Sequence, residues 1–196
     1  MEIALTRPTA AMEQDQELVR RVARGDEDAL RALYASYGPR LFAYALRVTG
    51  DRSVAEEVVQ DTLLAVWKGA RDYRGDSRVS TWLLGIVHHQ SLNAVRRKRV
   101  PTTGLEGACQ EAADTEKLED LASAGDRRRA LSVALAQLSP DHRAALELVF
   151  YQGLSLAETA RVLDCPVGTV KSRLSYAKTH LRQALRRAGL GAEDLL

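Results

Sequence analysis

The sequence predicts an all-α protein made of two helical domains joined by a flexible acidic linker. Aromatic residues make up only 5% of the chain, whereas Ala, Leu, Arg and Glu are abundant, and this composition favours packed helices over sheets. Apolar residues recur at helical spacing in both halves, and no stretch has the alternation typical of a strand. Residues 101–126 lack such a pattern and are rich in Pro, Gly, Ala and acidic residues. We therefore predict domains at 12–100 and 127–188, with 101–126 as the linker.

The net charge of the chain is unevenly distributed. Residues 1–100 carry +3, residues 101–126 carry −6 and residues 127–196 carry +5. The two basic halves indicate anionic partners. The sequence has no apolar run long enough for a membrane span and no signal-peptide pattern near Met1, so a cytoplasmic location is expected.

Caps and chain breakers divide the first half into helices. Residues 15–23 form a short amphipathic segment, and Asp26 then caps a helix over 28–37. Gly38-Pro39 is predicted to break that helix and restart the chain as a second helix over 40–48.

Three further elements complete this half. Ser53 and Glu56 have the spacing of a capping box, which predicts a helix from Ser53 to about Gly69. Residues 71–80 form a polar loop, and a long helix follows over 81–99. On the helix from Ser53, four apolar side chains are predicted to form a buried stripe: Val58, Leu63, Val66 and Trp67.

The second half has the layout of a helix-turn-helix. Ser155 and Glu158 form another capping box, Asp164 falls at a turn, and Pro166 suits the first turn of the next helix. A short helix, a tight turn and a longer helix are typical of DNA-binding proteins of this class. The predicted helices of this half span 127–138, 140–151, 156–163 and 167–188.

The last of these helices has two distinct faces. Residues predicted to pack inward are Val167, Val170, Leu174, Ala177, Leu181 and Leu185. The outward residues are mostly hydroxyls and cations, which suit base edges and phosphates in the major groove. A basic face alone is more typical of an ordinary solvated helix, but the preceding turn, the small Ala160 where the helices cross and the long basic second helix together favour DNA binding.

Four ordered motifs in the first half resemble region 2 of the sigma-70 family in its extracytoplasmic-function (ECF) form. They are E-E-V-V-Q-D-T-L-L-A-V-W from Glu56, R-G-D-S from Arg74, T-W-L from Thr81 and N-A-V-R-R-K-R from Asn93. The stretch from Gln137 to Arg182 is similar to region 4 of the same group. The resemblance covers about residues 17–99 and 130–185.

This resemblance implies a non-enzymatic transcription initiation factor that binds the beta and beta-prime subunits of bacterial core RNA polymerase and promoter DNA. It further implies restraint by an anti-sigma factor and no cofactor or metal. The core-polymerase residues would be Glu57, Gln60, Asp61 and Leu64. The minus-ten DNA residues would be Arg74, Asp76, Ser77, Arg78, Ser80, Trp82, Asn93, Arg96 and Arg97. The minus-thirty-five DNA residues would be Thr169, Lys171, Ser172, Arg173, Ser175, Tyr176 and Thr179.

In the family the linker between the two domains lies along the polymerase's active-site and RNA-exit path. In this chain it is equally well a solvated tether.

Several alternatives remain open from the residues alone. The protein could be a free-standing DNA-binding regulator, and Trp82 could be a core residue rather than a stacking platform for a base. The adjacent His88 and His89 have no partner at metal-ligand spacing, so a metal hydrolase is disfavoured. Cys109 and Cys165 are too far apart in sequence to indicate a zinc or disulfide motif, and Cys165 is expected to be a small packed residue.

Overall fold

The computed structural model describes residues 10–99 and 131–187, and every regular element in these ranges is helical. The all-α prediction is confirmed. The predicted linker and Cys109 lie outside the described residues. The elements are α1 (Ala10–Ala23), α2 (Glu27–Thr49), α3 (Arg52–Gly69), a 3-10 turn (Ala70–Asp72), α4 (Val79–Arg99), α5 (131–136), α6 (Pro140–Leu146) with a π-helical continuation (Glu147–Tyr151), α7 (Leu156–Val162) and α8 (Val167–Arg187).

Helices α1 to α4 form a first unit centred on α2, which contacts each of the other three. Leu33 and Tyr44 of α2 pack with Val58 of α3 and Leu84 of α4, and all four side chains are almost completely buried. Each such side chain contributes on the order of 2 kcal/mol through the hydrophobic effect. Because one face of α3 and one face of α4 are fixed inward, the opposite faces are left for partners.

Helix α2 is continuous, so the predicted break at Gly38-Pro39 is wrong. Pro39 lies inside the helix, where it lacks an N–H donor and normally costs about 3 kcal/mol. Buried side chains before and after it, Leu33 and Leu41, anchor both halves of the helix in the same core. Gly38 permits a close approach, since a Cβ there would lie only 2.7 Å from the Tyr34 ring.

The start of α3 is fixed by Asp51, and the predicted capping box at Ser53 is wrong. An Asp51 oxygen accepts the Val54 backbone N–H at 3.1 Å, and its second oxygen accepts Lys98 Nζ at 2.7 Å. The bond from Lys98 is the main reason that the pKa of Asp51 is lowered. Ser53 is exposed inside the first turn, and Glu56 pairs with Arg52 instead.

Helices α5 to α8 form the second unit. Ser139 caps α6, and the π-helical continuation ends where the Gln152 N–H donates to the Glu147 carbonyl at 2.9 Å. Leu148, Val170 and Ala177 are completely buried where α6, α7 and α8 meet. The buried residues of the two units form one continuous cluster.

His88 is a buried core residue rather than a ligand. It is 5% exposed, and its Nδ1 lies 2.8 Å from the Tyr44 hydroxyl. Burial lowers the pKa of His88 from 6.5 to about 4, so the imidazole is neutral at pH 7. Burial also raises the pKa of Tyr44, so its hydroxyl keeps its proton at pH 7. His89 is exposed.

We expect the stability of the protein to fall between pH 6.5 and 4, because in this range the unfolded chain protonates His88 and the folded chain does not. The loss attributable to this residue approaches about 3 kcal/mol at the acid end. His88→Phe should be less stable at pH 7, through the lost hydrogen bond, but should show a flatter dependence over this range. Urea unfolding at a series of pH values measures both effects.

His89→Gln is the matched control, because it removes an exposed histidine from the adjacent position. It should keep the wild-type pH dependence. An equally steep loss of stability in His88→Phe would contradict the assignment.

Candidate nucleic-acid interface

Helices α7 and α8 form a helix-turn-helix with the predicted caps. The Ser155 Oγ accepts the Glu158 N–H at 3.2 Å, and the Glu158 carboxylate accepts the Ser155 N–H at 2.9 Å. Asp164 adopts the left-handed conformation at the turn (φ 46°), and the Cys165 N–H donates to the Ala160 carbonyl at 3.0 Å. These local bonds fix the angle at which α8 leaves α7.

The outer face of α8 presents most of the residues predicted for the minus-thirty-five element. On its inner side Val170, Leu174, Ala177 and Leu185 are buried as predicted, and Leu181 is half-buried. Val167 is 39% exposed because it lies in the first turn, ahead of the packed region. Thr169 and Arg173 are half-buried. The exposed candidates are Lys171, Ser172, Ser175, Tyr176 and Thr179.

Arg173 differs from its neighbours because its guanidinium forms an ion pair within the protein. Its Nη2 lies 3.0 Å from an Asp141 oxygen on α6, and its side chain is 22% exposed. It also approaches the Cys165 sulfur at 3.8 Å. In this arrangement Arg173 holds α8 against α6.

The sequence analysis missed His142, which stacks on Tyr176. The two ring centroids lie 4.4 Å apart, and the ring planes are inclined by 29°. Helical periodicity cannot reveal a contact between two helices. The local signal that was available is Ser139 followed three residues later by His142, which locates the histidine in the first turn of α6.

The residues predicted for the minus-ten element follow the loop before α4 and the length of that helix. Arg74, Asp76 and Arg78 are exposed in the loop, where Gly75 has a positive φ of 80°. Ser77, Ser80 and Asn93 are half-buried, whereas Arg96 and Arg97 are exposed near the end of α4.

Trp82 is half-buried, so it is neither a fully buried core residue nor a fully exposed stacking platform for a base. Its ring contacts Tyr73 at a centroid distance of 4.9 Å. It also lines a cleft of about 440 Å³ that contains Thr81 and Ile86 of α4 and is closed by Arg161 and Val162 of α7.

The exposed face of α3 combines polar and apolar side chains. Glu57 and Gln60 are exposed, and Leu64 is 56% exposed. Trp67 is 36% exposed and Leu63 is half-buried, so their predicted places in the buried stripe are wrong: the buried side of the helix runs through Thr62 and Val66 instead. Asp61 lies 3.7 Å from Arg97 of α4, which joins the two predicted interfaces.

The two units contact each other through a buried ion pair. Glu147 is 3% exposed, and one carboxylate oxygen accepts Arg47 Nη1 at 2.8 Å while the other accepts Gln152 Nε2 at 3.0 Å. Arg40, two turns earlier on α2, donates to the Gln152 carbonyl at 2.8 Å. Arg143 donates across the same junction to the Arg47 carbonyl at 3.2 Å.

Within residues 10–99 and 131–187, no group of three or more His, Cys, Asp or Glu side chains could hold a metal ion. None of the helices in these same ranges is sufficiently long and apolar to cross a membrane. The fold and its surfaces define the class: a two-unit, all-helical protein that carries a helix-turn-helix and a second basic helical face suited to nucleic acid.

Comparison with known proteins gives the family. The family Sigma-70 region 2 matches residues 33–100, and Sigma-70, region 4 matches residues 128–181. The ECF RNA polymerase sigma factor SigL of Mycobacterium tuberculosis is 35% identical over 169 residues, covering 86% of this chain and 95% of that protein. The chain belongs to the sigma-70 family and is an ECF RNA polymerase sigma factor. It directs promoter-specific transcription initiation and is not an enzyme.

Two solved structures have similar folds. The sigma factor RpoE, in complex with the anti-sigma factor NepR from Bartonella quintana, gives a TM-score of 0.60 at 26% identity, covering 80% of this chain and 96% of that chain. CnrH, in complex with the cytosolic domain of CnrY, gives a TM-score of 0.66 at 24% identity, covering 89% of this chain and 98% of that chain.

Arg47→Ala should loosen the contact between the two units, since Glu147 would remain buried without its cationic partner. We expect a loss of about 1–3 kcal/mol from this contact, because a buried carboxylate without its ion pair is unfavourable. Small-angle X-ray scattering should show a larger radius of gyration for the variant. Arg52→Ala is the control: its pair with Glu56 has side chains 78% and 55% exposed, so the radius should not change. An unchanged radius in Arg47→Ala would show that other contacts hold the units together.

Proposed function

We propose that the exposed face of α3 is the principal surface with which this sigma factor binds core RNA polymerase. The observation that carries the proposal is the mixed character of this face: Leu64 and Trp67 expose apolar surface beside Gln60 and Glu57. Large apolar side chains left in water on a helix otherwise well packed on its other side are typical of interaction surfaces. In the family this helix docks on the clamp-helix coiled coil of the largest polymerase subunit.

The second unit offers a further apolar surface for polymerase. Phe150 and Tyr151 are 56% and 60% exposed at the end of the π-helical segment. Arg47 of the first unit covers the Tyr151 ring, with its guanidinium carbon 3.7 Å from the ring centroid. Binding of polymerase to Tyr151 would therefore compete with the contact between the two units.

The loop before α4 and the helix itself are proposed to open and hold the minus-ten element. Capture of an unstacked base needs a polar pocket and an aromatic platform, and the Trp82 ring has polar neighbours in Ser77 and Thr81. Arg96 and Arg97 would neutralise backbone phosphates, which makes binding sensitive to salt. Arg74, Asp76 and Arg78 are exposed in the loop and available to a base edge.

The outer face of α8 is proposed to read the minus-thirty-five element in the major groove. Lys171, Ser172 and Ser175 are exposed close to the N-terminal end of the helix, where a recognition helix contacts bases. Arg173, also predicted to contact this element, forms an ion pair with Asp141 and so helps to hold the helix in place.

An anti-sigma factor is proposed to restrain the protein in the cytoplasm. RpoE, which shares 26% identity with this chain, is described in complex with an anti-sigma factor. A partner that covers the α3 face would block polymerase, and one that also contacts α8 would block DNA.

Gln60→Ala combined with Leu64→Ala should weaken binding to core polymerase at least tenfold. Both side chains are exposed, so helicity and thermal stability should be kept, while an apolar anchor and its polar neighbour are lost. Fluorescence anisotropy of labelled protein titrated with core polymerase measures the affinity. Arg31→Ala, an exposed change on α2 away from this face, should bind as the wild type does. Unaltered affinity in the double variant would exclude α3 as the principal surface.

Lys171→Ala should weaken promoter binding by the holoenzyme. If the lysine contacts a base, the loss is about 1–3 kcal/mol and is confined to promoters with an intact minus-thirty-five element; if it contacts phosphate, the salt dependence becomes shallower by about one unit. Filter binding across a salt series separates these results. Lys68→Ala removes an equal charge from the end of α3 and serves as the control. Wild-type affinity and salt dependence in Lys171→Ala would remove this residue from the interface.

A further inference from the structure

Three aromatic rings lie close together at the outer face of α8. The Tyr176 ring stacks on His142 of α6 at a centroid distance of 4.4 Å. One turn further along α8, the His180 ring lies 6.3 Å from Tyr176 with the planes inclined by 20°. Tyr176 therefore has two imidazoles as ring neighbours although it is 57% exposed.

His142 is itself held in place. Its Nδ1 lies 2.5 Å from the Oγ of Ser139, and the same oxygen caps α6 by accepting the His142 backbone N–H at 3.4 Å. The preceding residue, Asp141, pairs with Arg173 of α8 at 3.0 Å. Two successive residues of α6 thus contact α8, Asp141 through Arg173 and His142 through Tyr176.

The charge state of His142 determines whether its ring can act as a stacking surface or as a cation. Burial, and then the nearby positive charge of Arg173, lower the pKa of His142, while Asp141 opposes this shift and His180 adds to it. The ring is thus neutral at pH 7 and offers a stacking surface rather than a cation for phosphate.

A tyrosine on an exposed helix face is normally free to change rotamer, and ordering it on binding opposes association. A ring stacked on a fixed neighbour has already lost that freedom. Its edge can contact a thymine methyl group, and its hydroxyl can donate to or accept from a base edge in the major groove.

We infer that His142 is a positioning residue that holds Tyr176 ready to contact a base pair of the minus-thirty-five element, and that Tyr176 determines specificity at that position. This inference rests on the proposed function of α8 as the reading helix. His142 acts through the Tyr176 ring and does not touch DNA.

The test measures discrimination by the holoenzyme among promoters that carry each single base-pair substitution across the minus-thirty-five element. Tyr176→Ala should lose discrimination at one position or two adjacent ones. His142→Ala should lose it at the same positions, by roughly 3- to 10-fold, the size expected for one aromatic contact. His142→Phe, which keeps a ring for stacking, should restore discrimination.

A double-mutant cycle separates positioning from simple support of the fold. If His142 acts only through Tyr176, the variant with both alanines should discriminate as Tyr176→Ala alone does. His89→Ala, an exposed histidine in the first unit, is the matched control and should behave as the wild type.

Two results would overturn the inference while leaving the proposed function intact. One is a His142→Ala holoenzyme that discriminates as the wild type does. The other is a uniform loss across all promoters that His142→Phe does not restore, which would make His142 a structural link between α6 and α8. A wild-type holoenzyme indifferent to every minus-thirty-five substitution would instead overturn the proposed function of α8.

Discussion

The relative placement of the two units depends on the buried carboxylate of Glu147. A buried anion is tolerated only where its oxygens have partners, and both oxygens of Glu147 have one, from Arg47 and Gln152. Arg40 holds Gln152 from the same face of α2. The π-helical geometry of Glu147–Tyr151 brings Gln152 back over Glu147, so a local widening of the helix completes the site. The junction therefore combines this polar contact with the buried apolar cluster that runs through both units.

This junction also determines how the two nucleic-acid faces are presented. Because α2 is fixed to the segment after α6, α7 lies against α4, and both helices line the cleft beside Trp82. Access to the Trp82 ring therefore depends on the position of α7. The outer face of α8 is turned away from this contact, since Lys171, Ser175 and Tyr176 remain exposed. The two DNA-reading surfaces thus differ in accessibility within one arrangement of the chain.

Sequence reasoning succeeded where the determining interaction is local. The caps by Asp26 and Ser155 and the left-handed turn at Asp164 each involve residues within a few positions, and all three are present. It failed where a distant residue decides. Asp51 rather than Ser53 caps α3, and besides its bond to the Val54 N–H it has a partner in Lys98, 47 positions away. Pro39 stays inside α2 because the core packs on both sides of it. A local sequence pattern reveals neither the contact between Asp51 and Lys98 nor the packing around Pro39.

In the candidate site, too, a contact with another helix determines the role of individual side chains. The pattern of α8 predicted which residues avoid the core, but avoiding the core does not make a residue available to DNA. Lys171 and Arg173 are both cations of that helix, separated by two positions and hence by about 200° around its axis. One remains in solvent, and the other is paired with Asp141. Under the proposed function of α8, specificity depends on α6 as well, because Asp141 of α6 pairs with Arg173 while Lys171 stays exposed to solvent.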